Sequence, residues 1–277
     1  MSVLAVLGIL VVVIGTTAAA LLGPTLARLW RRRRIVRRPF PAAWRDIVRR
    51  RVPLVRELPA AQQLRLKKHI QVLLQEVPFI GCAGLEVTDR MRVTIAAQAA
   101  FLLLGRGGSF GNLREVLVYP GHFVVPRSEA GAGGVVHEGR DVLAGQSWQR
   151  GQVIVAWAAA QEGAADPHDG ANVVMHEFAH QLDQAAGAAN GAPYVGRGAL
   201  QRDWARVMNR EFNALVARLA SDEPSLIDPY AATSPAEFFA VTTELFFERP
   251  DALAAEWPAL YEQLKRCYRL DPLAWVP

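Results

Sequence analysis

The chain has 277 residues, 51% hydrophobic and 21% charged, with a formal net charge of +5 and 2 cysteines. These proportions exclude an intrinsically disordered chain and a disulfide-built scaffold, and the length suits one large domain or two intimately packed subdomains. Seven arginines and no acids lie between Arg28 and Arg38, and the rest of the chain carries 24 basic against 26 acidic residues, so the positive charge does not mark a nucleic-acid-binding surface.

In chain order, Ser2 to Ala27 contains no charged residue, and Val3 to Leu22 is a continuous run of apolar and small side chains. About twenty helical residues cross the hydrocarbon layer of a bilayer, so residues 1–27 predict one transmembrane signal-anchor helix. The arginines follow the apolar run instead of preceding it, the reverse of a cleaved secretory signal. Residues 28–39 therefore read as an Arg-rich juxtamembrane linker. The positive-inside rule then predicts a single-pass inner-membrane protein whose main domain, residues 40–277, faces the cytoplasm.

Pro39, Pro41, Pro53 and Pro59 punctuate the entry to that domain, and folded structure is expected to begin between Phe40 and Leu64. Ala60 to Glu76 has the apolar spacing of an amphipathic helix, and Arg92 to Leu104 that of a more buried one, stopped by Gly105-Arg106-Gly107-Gly108. Short β-rich segments follow at Val116–Tyr119, Phe123–Val125 and Val153–Trp157, with glycine-rich loops expected at Ser128–Gly134 and Ala158–Asp169. Beyond Gly170 the pattern is helical, through Leu200–Ala220, Pro235–Phe247 and Pro258–Arg269. Helices, a small sheet and then helices make the fold class α+β. Cys82 and Cys267 form no metal-binding spacing and read as free thiols.

The most specific signal is the HExxH run in Val173-Val174-Met175-His176-Glu177-Phe178-Ala179-His180-Gln181-Leu182-Asp183. Residues four apart share one helical face, so His176 and His180 direct two imidazoles at a single ion, with Glu177 beside them as a general base. A catalytic zinc takes three protein ligands and keeps one position open to water. Asn172 and Asp183 fall on the same stripe and are candidates to orient the imidazoles by hydrogen bonds. The extended HExxHxxGxxH form is excluded, because Asp183 and Ala186 stand where its Gly and His would be. No histidine follows His180, which leaves the acids of Ser234-Pro235-Ala236-Glu237-Phe238-Phe239-Ala240-Val241-Thr242-Thr243-Glu244 as sources of a third ligand. Glu237 and Glu244 are seven residues apart and share a face. Ser234, Pro235 and Glu237 also read as a capping box, so spacing alone leaves both acids in contention.

The run HEFAHQLD, followed by Asp228-Pro229-Tyr230-Ala231-Ala232-Thr233-Ser234-Pro235-Ala236-Glu237-Phe238-Phe239-Ala240, resembles the Mlc titration factor A family of bacterial zinc peptidases. The likeness includes Val118-Tyr119-Pro120, Leu143-Ala144-Gly145-Gln146-Ser147-Trp148 and Gly170-Ala171-Asn172-Val173-Val174, and covers most of the chain from about Phe40 to Pro272. The resemblance, which extends to the catalytic domain of anthrax lethal factor, implies a mainly helical zincin-like domain holding one Zn2+ per chain on His176, His180 and Glu237. It also implies Glu177 as general base and Tyr230 as the hydroxyl that meets the oxyanion. Glu244 then becomes an orienting or structural acid.

The implied activity is peptide-bond hydrolysis, with endopeptidase and aminopeptidase action both open. The strand Val153, Ile154 and Val155 is a candidate to receive the substrate as an added strand. Expected partners are a peptide or protein substrate and the membrane, without nucleic acid. The family's capture of a sugar-uptake repressor supplies the alternative role, a regulatory protein that sequesters a transcriptional repressor. Members of that family are soluble, so the anchor expected here would be an addition.

Overall fold

The computed structural model describes residues 3–121, 151–185, 187 and 189–275. The chain divides into two compact units, Met1–Phe40 and Pro41–Pro277. The first is built on one helix, α1 (Val3–Val36), which contains Pro24 and carries Arg33 and Arg34 in its last turn. Among the described residues no helix is long and apolar enough to cross a membrane. The expected transmembrane anchor, and with it the inner-membrane placement, is overturned. Gly15, Thr16, Thr17, Gly23 and Pro24 dilute the apolar run, and the helix continues through the arginines, so the segment expected as a linker is largely helical.

The second unit is mainly helical with a small parallel sheet. It opens with α2 (Ala42–Arg51), followed by a short 3₁₀ turn and α3 (Ala60–Glu76). Strand β1 (Phe79–Gly81) then leads into α4 (Asp89–Phe101), where the Thr88 hydroxyl accepts the Met91 N–H and Asp89 places a negative charge in the first turn. Strands β2 (Glu115–Tyr119) and β3 (Gln152–Ala156) complete a sheet of order β1-β2-β3, with Phe79 opposite Val116 and Val116 opposite Val153. Val116, Val118, Val153 and Val155 point inward while their neighbours stay half-buried, the period-two pattern of a sheet packed on one face. The expected strand Phe123–Val125, the loop Ser128–Gly134 and the matched run Leu143–Trp148 lie outside the described residues.

After β3 the chain forms α5 (Trp157–Ala165), where a loop was expected. Its sequence is alanine-rich, and alanine's helix propensity outweighs the single Gly163. Next come α6 (Val173–Gln184), α7 (Ala199–Ala220), a 3₁₀ turn at Pro229–Thr233 and α8 (Pro235–Glu248). Pro250 and Pro258 each stand at a first helical position and divide the following chain into α9 (Pro250–Glu256) and α10 (Pro258–Tyr268).

Residues 236–248 of α8 are all buried, and so are residues 93–101 of α4. These two helices are the backbone of the core. Phe239 is fully buried, edge-on to Trp204 at 5.8 Å and stacked on Tyr268 at 6.4 Å. Phe239→Ala should therefore cost about 3–5 kcal/mol of stability, measured by equilibrium denaturant unfolding. A loss below about 1 kcal/mol would mean the surrounding rings close the cavity.

Candidate metal centre

Two helices and a turn build the centre. Asn172 caps α6, its side-chain oxygen accepting the Met175 N–H at 3.0 Å, and this fixes the start of the turn that carries His176. Ser234 caps α8 in the same way, accepting the Glu237 N–H at 3.2 Å behind Pro235 at the first helical position. The capping role and a ligand role for Glu237 are compatible. The backbone of Glu237 serves the cap, while its carboxylate reaches across to α6.

Three donor atoms converge there. His176 Nε2 lies 3.0 Å from Glu237 Oε2 and 3.2 Å from His180 Nε2, and His180 Nε2 lies 3.4 Å from the same Glu237 oxygen. For ligands about 2.0–2.1 Å from a tetrahedral ion, the ligand-to-ligand edge is roughly 3.3 Å. The observed triangle matches that edge on all three sides. Two imidazole nitrogens and one carboxylate oxygen are also the donor set that zinc favours. Among the described residues, His176, His180 and Glu237 are the group of titratable side chains able to hold a metal ion.

The electrostatics suit a cation at that point. Burial disfavours a charged His176, but its hydrogen bonds to Glu237 and Glu244 outweigh burial and hold the ring up at about 10. Burial pushes His180 down to about 4, with Glu237 opposing and the neighbouring His176 adding to the fall. Burial would raise Glu237 too, yet the two imidazoles hold its carboxylate well below the usual range. Without a metal, the three donors thus share one proton, on His176, balanced by the Glu237 carboxylate, and a cation binding there would displace that proton.

The other candidate residues surround this triangle at different removes. Glu244 stands behind His176, its Oε1 2.8 Å from Nδ1, so the ring's far nitrogen is held by a carboxylate and Nε2 faces the triangle. The other Glu244 oxygen accepts the backbone N–H of Asn172. Tyr230, in the 3₁₀ turn before α8, places its ring centroid 6.2 Å from that of His176 and is half-buried. Glu177 is half-buried on α6, and its charge supports protonation of His176.

Asp183 is fully buried but turns away, accepting the N–H groups of Gly191 at 2.6 Å and Ala192 at 2.8 Å. These bonds tie the end of α6 to the following loop. A Cβ on Gly191, at φ +74°, would meet Pro235 O at 2.2 Å, so that loop also lies against the start of α8. Val153, Ile154 and Val155 sit on β3, at one end of the strand order, and β3 packs near α6. Sequence reasoning did not single out Glu248, whose carboxylate takes a hydrogen bond from the Asn172 amide at 2.8 Å. Its position four residues beyond Glu244 on one helical face was the available signal.

With this geometry in place, comparison with known proteins is decisive. The family described as "Glucose-regulated metallo-peptidase M90" matches residues 27–269. The chain belongs to that metallopeptidase family. Its M90 relatives include an uncharacterized protein of Synechocystis sp., 42% identical over 246 residues that span 88% of this chain and 90% of the relative. They also include Mlc titration factor A of Yersinia pestis and of Yersinia pseudotuberculosis, each 34% identical over 240 residues, 84% of this chain and 86% of the relative. The M90 match supports a metal-dependent hydrolase, and the His176–His180–Glu237 triangle is where a metal fits.

Proposed function

We propose that this chain is a zinc-dependent peptidase with His176, His180 and Glu237 as the metal ligands and Glu177 as general base. The observation that carries the reading is the convergence of two Nε2 atoms and one carboxylate oxygen, from two separate helices, on a triangle of zinc-sized edges. Zinc bound there would act as a Lewis acid on the scissile carbonyl and make water more acidic. Glu177 takes a proton from the attacking water and delivers it to the departing amine. Glu244 keeps the His176 ring in the tautomer whose Nε2 lone pair faces the ligand triangle.

Tyr230 donates its phenol hydroxyl to the oxygen that gains charge as the carbonyl becomes tetrahedral. Tyr230→Phe should lower kcat by about 10²–10³ with little change in KM, measured by steady-state hydrolysis of a fluorogenic peptide. A change confined to KM would assign Tyr230 to substrate binding instead. The substrate itself is proposed to lie along β3. Val153 and Val155 are buried beneath that strand, and its outer edge pairs with no described strand, which suits main-chain hydrogen bonding to an extended peptide.

The test uses the full chain stripped by chelator, then reloaded with zinc and incubated with a mixed peptide library. Hydrolysis that disappears on stripping and returns with zinc supports the reading, and a zinc-loaded protein that cleaves no peptide sinks it. The name of the relatives, Mlc titration factor A, favours a second reading, in which this chain sequesters a transcriptional repressor. A Glu177→Gln variant separates the two, because capture survives that substitution and hydrolysis does not.

A further inference from the structure

Glu248 is an unexpected residue where it stands. It is 2% exposed in the last turn of α8, where the helix dipole disfavours a negative charge, and it follows the buried Glu244 by four residues. Burial pushes its carboxyl up to about 9, against the opposing hydrogen bond from Asn172. A leucine here would avoid burying a carboxyl but would leave one Asn172 amide N–H unpaired. What the carboxyl does is hold Asn172.

Asn172 joins three elements through five hydrogen bonds, one of them from the His176 N–H, which its carbonyl accepts at 2.9 Å. Its Nδ2 donates to Glu248 Oε1 at 2.8 Å and to Gly163 O of α5 at 2.9 Å. With both amide hydrogens committed, Oδ1 is the atom turned to the Met175 N–H, and the backbone N–H is left aimed at Glu244 Oε2. Glu244 is then placed to give its Oε1 to His176 Nδ1 at 2.8 Å. Glycine at 163 permits this approach, since a Cβ there would lie 3.0 Å from both Ala171 O and Asn172 Cα.

We infer that Glu248 is a positioning residue for the metal centre, acting through Asn172 and Glu244 to fix the orientation of His176. This inference rests on the zinc reading proposed above. Glu237, Glu244 and Glu248 then form one stripe along α8 with graded duties, the first touching the metal, the second holding its ligand, and the third holding the group that places the second.

The test is zinc affinity, measured on the stripped full chain by competition with a chromophoric chelator, together with the unfolding midpoint of the stripped protein. Glu248→Gln keeps an acceptor for Asn172 and should bind zinc within about threefold of wild type. Glu248→Leu removes the acceptor and should bind about 10–100-fold more weakly, while its stripped form still unfolds in one cooperative transition. Wild-type affinity in Glu248→Leu, or equal losses in the Gln and Leu variants, overturns the inference. Should Glu248→Leu fail to fold, Gly163→Ala presses on Asn172 from the opposite side and should weaken zinc severalfold, and unchanged affinity there overturns the inference equally. A wild-type protein that binds no zinc would instead refute the metal reading on which the inference stands.

Discussion

Replacing Glu177 by glutamine should lower kcat for peptide hydrolysis by about 10²–10⁴-fold while the protein still binds one zinc per chain. Glutamine has the shape of glutamate and can donate a hydrogen bond, but at neutral pH it cannot take a proton from water. Glu177 lies outside the ligand triangle, half-buried and one residue beyond His176, so its removal takes no donor atom from the metal. The measurement pairs steady-state rates with metal analysis on the same preparation. A variant that retains the wild-type rate would remove Glu177 from the chemistry. A variant that loses zinc in proportion to rate would make the residue a structural support. Capture of a repressor, if that is the main role, should be unaffected.

The second large effect is expected at Glu237. Its Oε2 lies within 3.4 Å of both imidazole nitrogens, so Glu237→Ala removes one of the three converging donor atoms and the only carboxylate in the triangle. Two imidazoles one turn apart on α6 would remain, in a buried site with no ligand charge to balance a divalent ion. Zinc should no longer be retained at one per chain through gel filtration. Glu244→Ala provides the contrast. Glu244 reaches Nδ1, on the far side of the His176 ring, and its loss should weaken binding by about 10–100-fold without abolishing it. Full retention in Glu237→Ala with complete loss in Glu244→Ala would exchange the two assignments.

Most local structure was readable from the chain. The apolar spacing of α3 marked Ala60–Glu76 at the same bounds as the structure, and α7, α8 and α10 fell within a residue or so of their expected ends. These helices announce themselves through periodicity and, for α8, through the Ser234 cap, whereas the Asn172 cap of α6 was read only as a candidate to orient an imidazole. The errors also have physical causes. Strand β1 is three residues long, too short for an alternating pattern to emerge. Helix α5 was hidden because Gly163 and the turn-forming Asp166-Pro167-His168-Asp169-Gly170 after it drew attention from the helix-favouring alanines. The amino-terminal expectation failed because an uncharged run was read as an apolar one, and because the arginines after it were taken to end a helix that in fact continues to Val36.

The sequence by itself determined the pair His176 and His180, because their relation depends only on the rise and turn of one helix. It also narrowed the third ligand downstream of the motif to the acids of the Ser234–Glu244 segment, since no histidine follows His180. Between Glu237 and Glu244 periodicity was silent and the resemblance favoured Glu237, but only the tertiary structure put Glu237 Oε2 beside both Nε2 atoms and Glu244 at Nδ1, turned Asp183 toward Gly191 and Ala192, and revealed Glu248 behind Asn172. Glu237 and Glu244 share a helical face, so periodicity treats them alike. The crossing of α8 over α6 sets which of the two meets Nε2 and which meets Nδ1, and that crossing is fixed by contacts between residues some sixty positions apart.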